Sequence, residues 1–364
     1  MNRRKFFMAT GAALIAVGAA AARERARMGS MDDYAAAQAR LRGAFAAHGG
    51  LSELIRLAAL APNGHNTQPW RFHVAPDRIA ILPDLTRRTP VVDPDDHHLF
   101  ISLGCAAENL DIAARAQQIG GNLVFVADGG ARIDYHFGSD RTVPADLLAA
   151  IPIRQSTRAP FSGAKVSPSD LQQLAKAAEF DGVSLTLLTA QPDIAKITEL
   201  VIAGNTAQMA DPAFIGELLH WLRFNPHDAV AQGDGLFTAL GGNPILPGWL
   251  GQRLFPLGFK AATENRKYRE QIATSGGVAV FFANQAGPED WVQVGRAAQR
   301  FALKATALGL KLSFVNQPVE VPQFRSDLAA LAGMPGRRPD LVVRFGYGPT
   351  LPYSFRRPIT SVMT

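Results

Sequence analysis

The sequence predicts an α+β protein with helices packed on sheet, and three observations predict it. From Leu51 onward, runs with helical apolar spacing alternate with short apolar runs bounded by turn residues. Apolar residues make up 47% of the 364-residue chain, ample for a core in one large domain or two moderate ones. Finally, Gly104-Cys105-Ala106-Ala107-Glu108-Asn109 is echoed by Gly295-Arg296-Ala297-Ala298-Gln299-Arg300, and both continue as Ala-rich helices that run into apolar strands. This is a candidate repeat at domain scale. Small residues on a helix face also permit close helix approach, which explains the likeness about as well.

The elements follow in order. Arg3, Arg4 and Lys5 precede an apolar stretch from Met8 to Ala22 that ends in small residues. It is shorter than the ~18–20 residues that span a bilayer. Residues 1–22 therefore read as a twin-arginine export signal, recognised by that export machinery, rather than as an Ala-rich anchor. The mature chain is then expected in the periplasm or beyond it, membrane-associated if the signal is retained. Residues 23–49 read as a linker and an exposed helix without chemistry.

Leu51, Leu54, Ile55, Leu57, Ala58 and Ala61 fall at helical spacing, Pro62 stops the helix, and Asn63-Gly64 is a turn pair. A loop rich in amide side chains, through Asn66 and Gln68, leads into the extended run Trp70–Val74. Such a loop offers N–H and amide donors to the edge of a planar polar ring; an ordinary helix-to-strand connection anchored by Trp70 is the alternative. Residues 78–82 form a second strand. His97 and His98 follow Asp95-Asp96, but adjacent side chains on a helix point apart, so no metal site is expected. A helix over 101–120 and strands over 122–128 and 133–137 complete a first half, residues 50–150. Cys105, the single cysteine, excludes an intramolecular disulfide and reads as a small buried residue.

The second half, residues 151–364, opens on Arg154-Gln155-Ser156-Thr157-Arg158. In an extended chain Arg154, Ser156 and Arg158 share one face, two guanidinium groups and a hydroxyl suited to an anion or a ring carbonyl. A solvent-facing edge strand is equally open. A helix follows over 170–180. The stretch from about 197 to 247 is insertion-like, with prolines and glycines that suggest a lid. A strand over 277–282, a helix over 292–309 and a strand over 341–346 lead to a basic tail with Arg356 and Arg357. The net charge of +6 is spread out, with no basic run interleaved with aromatics, so nucleic acid is a poor partner.

The run Ala61-Pro62-Asn63-Gly64-His65-Asn66-Thr67-Gln68-Pro69-Trp70 resembles the signature of the FMN-dependent nitroreductase superfamily, with Asn63 where Ser is usual. With an export signal and a partial second copy, the chain most resembles the Acg-type branch. Glu217, Trp221, Arg223 and the following Asp234-Gly235 are similar to that branch too. The resemblance implies an antiparallel sheet with packed helices, and two nitroreductase-like halves fused in one chain. It implies one FMN between complementary half-sites: Pro62, Asn63, Asn66 and Gln68 from one half, and Arg154, Ser156 and Arg158 from the other. Pro318, Val319 and Glu320 match the turn whose N–H approaches the flavin, although Val321 replaces the usual Gly. Arg356 and Arg357 match the pair that holds the phosphate. The implied chemistry is hydride transfer from a nicotinamide nucleotide, NAD(P)H, or another reductant to a small acceptor, in a monomer acting as an internal pseudo-dimer. The family gives no acid, base or nucleophile to name. A flavin-sequestering protein without turnover, or a dehydrogenase or dehalogenase on the same scaffold, are the other readings.

Overall fold

The computed structural model describes residues 22–142 and 144–364. The expected export signal lies outside the described residues, apart from its last position.

Two sheets organise the chain, and they have the same topology. In the first, β1 (Trp70–Val74), β2 (Arg78–Pro83), β3 (Gly120–Val126) and β4 (Arg132–Asp140) are ordered β1-β2-β4-β3. The second takes β5 (Val183–Leu188), β8 (Gly277–Ala283), β9 (Lys311–Phe314) and β10 (Leu341–Gly346) in the order β5-β8-β10-β9. Each sheet thus runs first, second, fourth, third, and every neighbouring pair is antiparallel. In each, a helix of 20 residues joins the second strand to the third, His97–Ala116 in one half and Pro288–Ala307 in the other. In each, a shorter helix precedes the first strand, Gly50–Ala58 and Pro168–Ala177. The α+β class and the paired halves expected from the sequence are therefore present. The only parallel ladder among the described residues joins the two-residue strands β6 (Leu222–Arg223) and β7 (Leu236–Phe237).

The halves differ in what joins their first two strands. A three-residue turn links β1 to β2. Between β5 and β8 stand five helices, from Gln191–Met209 to Ala261–Ala273, together with β6 and β7.

The two long helices pack against each other through the echoed runs. A Cβ at Gly104 would lie 2.1 Å from the Val292 carbonyl oxygen, and one at Gly295 would lie 2.1 Å from that of Ile101. Each glycine thus meets the residue three places before the other, so the contact is reciprocal. Backbones this close leave no room for a methyl group. The two explanations of the echo hold together: equal topology makes the halves alike, and the crossing demands small residues. Cys105 lies in this contact, its thiol donating to the Gly295 carbonyl at 3.1 Å, and burial pushes it up to about 12. Fully buried Glu108 accepts from Arg296 at 2.9 Å and from Arg300. Gln299 donates to Asn109 at 2.6 Å, satisfying polar groups that burial would otherwise penalise.

The helix expected to be exposed before residue 50 leaves most of its residues open and lays one face on the domain. The Met31–Leu41 helix buries Tyr34, Ala37 and Gln38, with Tyr34 wholly inaccessible. The Tyr34 hydroxyl and the Gln38 amide both donate to the Tyr353 carbonyl at 2.6 Å, tying the segment to the C-terminal tail. The helix ends beside Arg42, which enters the cavity described next.

Candidate functional site

Both half-signatures line one cavity of about 360 Å³, within the ordinary range for small-molecule sites. Its walls come from the 62–66 loop, the 154–158 segment, the chain after β9, the C-terminal tail and the helices inserted between β5 and β8.

The 62–66 loop is held in an unusual backbone. His65, Asn66 and Gln68 have φ of 47°, 55° and 54°, a region that costs a non-glycine residue about 1–2 kcal/mol. Amide side chains supply the restraint. Asn63 donates to the Ala61 carbonyl at 3.2 Å and accepts from the Gln68 N–H at 2.8 Å. Asn66 donates to the carbonyls of Gly235 at 3.0 Å and Phe355 at 3.2 Å, and accepts from Arg356 at 2.8 Å. Gln68 is fully buried away from the cavity, donating to the Gly233 carbonyl at 2.9 Å and accepting from the Arg357 N–H at 2.8 Å. The signature amides thus stitch the loop to the insertion and the tail. Pro62, Asn63 and Asn66 line the cavity; Gln68 supports it from behind.

Arg154, Ser156 and Arg158 all line the cavity. The segment is extended, bridged at Ser156 to Leu312 in parallel, with the Thr157 N–H donating to the Leu312 carbonyl at 2.8 Å. This hangs it on the edge of the second sheet and turns Thr157 inward, fully buried. Arg154 is 2% exposed. One Nη donates to the Leu60 carbonyl at 2.9 Å, the other reaches Ser156 Oγ only at 3.4 Å, and Nε has no partner. No carboxylate pairs with Arg154 or Arg158 among the described residues. Burial pushes the Arg154 guanidinium down to about 10.

Arg42 adds a third cation. It donates to the Pro152 carbonyl at 2.9 Å, stacks 4.2 Å over the Tyr353 ring, and is pushed down to about 9 by burial first and by Arg154 second. Nothing in the sequence around Arg42 signals this placement. A buried guanidinium with spare donors and no counter-ion suits an anionic or carbonyl-edged ligand.

The basic pair of the tail lies differently from the expected phosphate clamp. Arg356 lines the cavity, yet its guanidinium donates to the carbonyls of Ala59, Leu60, Ala61 and Phe355 and to Asn66 Oδ1, at 2.8–3.1 Å. It therefore caps the C-terminal end of the Gly50–Ala58 helix, where a cation is favoured. Arg357 donates to the Ser361 carbonyl at 2.9 Å, lies 3.9 Å from buried Asp84, and lines no part of the cavity.

The 318–320 run also differs in detail. Gln317–Glu320 is a short helix in which the N–H groups of Val319 and Glu320 both donate to the Asn316 carbonyl at 2.8 Å. The Val321 N–H donates to the Gln317 carbonyl at 3.0 Å, so these three donors are taken. Val321 has φ −101°, an ordinary backbone for a branched residue, so no glycine is required there. Pro318 and Val319 are buried away from the cavity. Glu320 lines it, accepting from Gln208 at 2.6 Å, and burial raises its carboxyl.

Two histidines complete the polar lining. His98 Nε2 and His65 Nδ1 are buried without partners. Burial, then the Arg158 charge, pushes His65 down to about 4; burial, then His97, lowers His98. Both are thus neutral near pH 7. The adjacent His97 and His98 rings lie 4.5 Å apart rather than diverging, and with Asp93 they bring ligand-type atoms within 4.8 Å of one another. The Asp93 oxygens, however, accept from the N–H groups of His98 and Leu99, and His97 Nε2 pairs with Asp340 at 2.9 Å.

The run similar to the Acg branch fastens the insertion. Glu217 accepts from the N–H groups of Val91 and Val92 at 2.9 and 3.2 Å. Asp234 bridges buried Arg223 and Arg87, and Arg87 lies 5.3 Å from the centre of the Trp221 ring. So fixed, the insertion presents an apolar wall of Phe214, Leu218, Phe255 and Phe259 to the cavity.

A scan against protein-family models finds none that matches. Curated relatives do match over nearly their whole length. The Mycobacterium tuberculosis protein named "Putative NAD(P)H nitroreductase Rv3131" is 27% identical over 337 residues, 85% of this chain and 90% of that one. The one named "Putative NAD(P)H nitroreductase acg", from the same organism, is 24% identical over 331 residues, 86% and 94% respectively. Over most of its length the chain is thus similar to proteins named putative NAD(P)H nitroreductases, acg among them. Among solved structures, an FMN-dependent nitroreductase from Mycobacterium smegmatis in complex with NADPH is 15% identical, covering 55% of this chain and 86% of its own at TM-score 0.36. A nitroreductase with bound FMN from Desulfitobacterium hafniense is also 15% identical, covering 61% and 98% at TM-score 0.38.

Proposed function

We propose that the chain is an FMN-binding oxidoreductase that takes electrons from NAD(P)H and passes them to a small acceptor. The observation that carries this reading is Arg154, a buried guanidinium with an unpaired Nε on the wall of a cavity that both half-signatures line. A ring carbonyl or phosphate oxygen would complete its hydrogen bonds. Ser156 and Arg158 extend the donor row, and Arg42 adds charge. When bound, FMN supplies hydride acceptance and donation, while the protein supplies binding and electrostatics. The strained 62–66 loop would offer the bound group further polar contacts, and the insertion's aromatic wall would exclude water. The acceptor is a nitro compound or a quinone-like ring.

The test is direct. The purified chain should carry close to one FMN, released by heat, and its visible absorbance should bleach on anaerobic addition of NADPH. A ratio near two would overturn the single site. A yellow protein that stays yellow would favour the second reading, flavin sequestration without turnover. That reading draws its support from the insertion, whose Phe255 and Phe259 occupy one wall of the cavity.

We also infer export by the twin-arginine route, as Arg3 and Arg4 suggest, with the chain acting as a monomer whose two halves replace a dimer.

A further inference from the structure

Of the eight large apolar side chains that stand exposed among the described residues, four fall within 13 residues: Ile245, Trp249, Leu254 and Leu257, at 38%, 59%, 44% and 71% exposure. Three of them lie on the Gly248–Gly258 helix, which is apolar on two sides. Gly251, Phe255 and Phe259, spaced by four, face inward. Gly251 meets the Phe224 ring, and Phe255 stacks on Phe259 with centroids 4.5 Å apart at the cavity wall. Trp249, Arg253 and Leu257, also spaced by four, form the outer stripe, flanked by Leu254. Ordinary burial explains the inner side and leaves the outer one uncovered. Clustered exposure of this kind marks an interaction surface.

Charge identifies what covers it. From Gly235 to Thr263 the chain has no acidic residue, and its only charges are Arg253 and Lys260, both exposed. A second copy docked face to face would set these cations against themselves with no acid to meet them. Trp and Leu beside exposed Arg and Lys are the composition of a helix lying in the headgroup region of a bilayer. Among the described residues no helix is long and apolar enough to cross a membrane, so the contact is superficial. We propose that the outer face of the Gly248–Gly258 helix docks on an anionic lipid surface. Its inner face walls the cavity, so docking sets the cavity beside the bilayer. This inference is independent of the flavin reading.

The test places a reporter on the face itself. Leu257→Cys in the full chain takes a polarity-sensitive bimane, because the native Cys105 is buried and unreactive. The label's emission should shift to the blue and brighten on vesicles of phosphatidylcholine with phosphatidylglycerol. The response should weaken with added salt and with phosphatidylcholine alone. Adding Trp249→Ser and Leu254→Glu, both at exposed positions, should lower vesicle partition at least ~tenfold. Emission that stays unchanged at saturating anionic vesicles overturns the proposal, even if the chain sediments with them through residues 1–22. A shift that grows with protein concentration in the absence of lipid also overturns it, in favour of a second copy.

Discussion

Two arginines that line the cavity have different work. Arg154 holds unspent donors toward the cavity, whereas Arg356 spends its guanidinium on carbonyls that end a helix. Arg154→Ala should therefore weaken FMN affinity by roughly ten- to a hundredfold, since a charged hydrogen bond contributes ~1.5–3 kcal/mol and tenfold is ~1.4. Arg154→Lys should rescue this only in part, because lysine lacks the planar fork. Arg356→Ala should act first on stability, by about 3 kcal/mol or more, as buried acceptors lose their donors. Flavin fluorescence and urea unfolding separate the two: an Arg356→Ala chain of unchanged stability would refute the capping role. His65 gives a pH signature. Its folded value of about 4 lies below the usual 6.5, so the unfolded chain binds more protons between those pH values. Stability should be present above about 6.5 and be lost as pH falls toward about 4, by at most ~3 kcal/mol. His65→Asn tolerates the left-handed backbone and removes the titration, so its stability curve should be flatter across that window.

The helix crossing is the element on which the halves depend. A methyl at Gly104 or Gly295 would sit 2.1 Å from a backbone oxygen, a contact that a flexible side chain cannot relieve. Gly104→Ala and Gly295→Ala should each destabilise by ~1–3 kcal/mol or more through forced separation of the helices. Because each glycine meets the other's helix, the double substitution should cost less than the sum. Urea midpoints of the three variants check this, and additive effects would argue against a shared contact. Gly216, on an inserted helix with no atom near its missing Cβ, is the control and should tolerate alanine.

At the scale of the whole molecule, the loop that follows the Gly50–Ala58 helix of one half and the Arg154–Arg158 segment that opens the other line one cavity. The insertion between β5 and β8 and the N-terminal helix then wrap the shared cavity. The proposed export would concern the entire chain. Changing Arg3 and Arg4 together to Lys should hold the protein in the cytoplasm, read by fractionation; normal export of that double variant would rule the route out.

Local patterns carried much of this protein in the sequence. Apolar periodicity marked the Gly50–Ala58 helix and most strands, because core burial writes itself at spacings of two and 3.6. The amides of the signature loop were visible through the resemblance, whereas the left-handed turn they hold was not. The helix crossing was visible as an echo because two backbones in contact require small residues on both. What sequence left undetermined depends on which donors are already taken. Arg356 and Arg154 are chemically identical until the helix end beside one and the cavity wall beside the other are known. Arg42 carried no local signal at all, since its place follows from the docking of Tyr34 and Gln38 on a tail more than 300 residues away. His97 and His98 were expected to diverge, and the packing of the helix start on Asp93 and Asp340 brings their rings together. Sequence determines which side chains can bond; only tertiary structure decides which bonds remain open, because a hydrogen-bonding group has few valences and distant backbone fills them first.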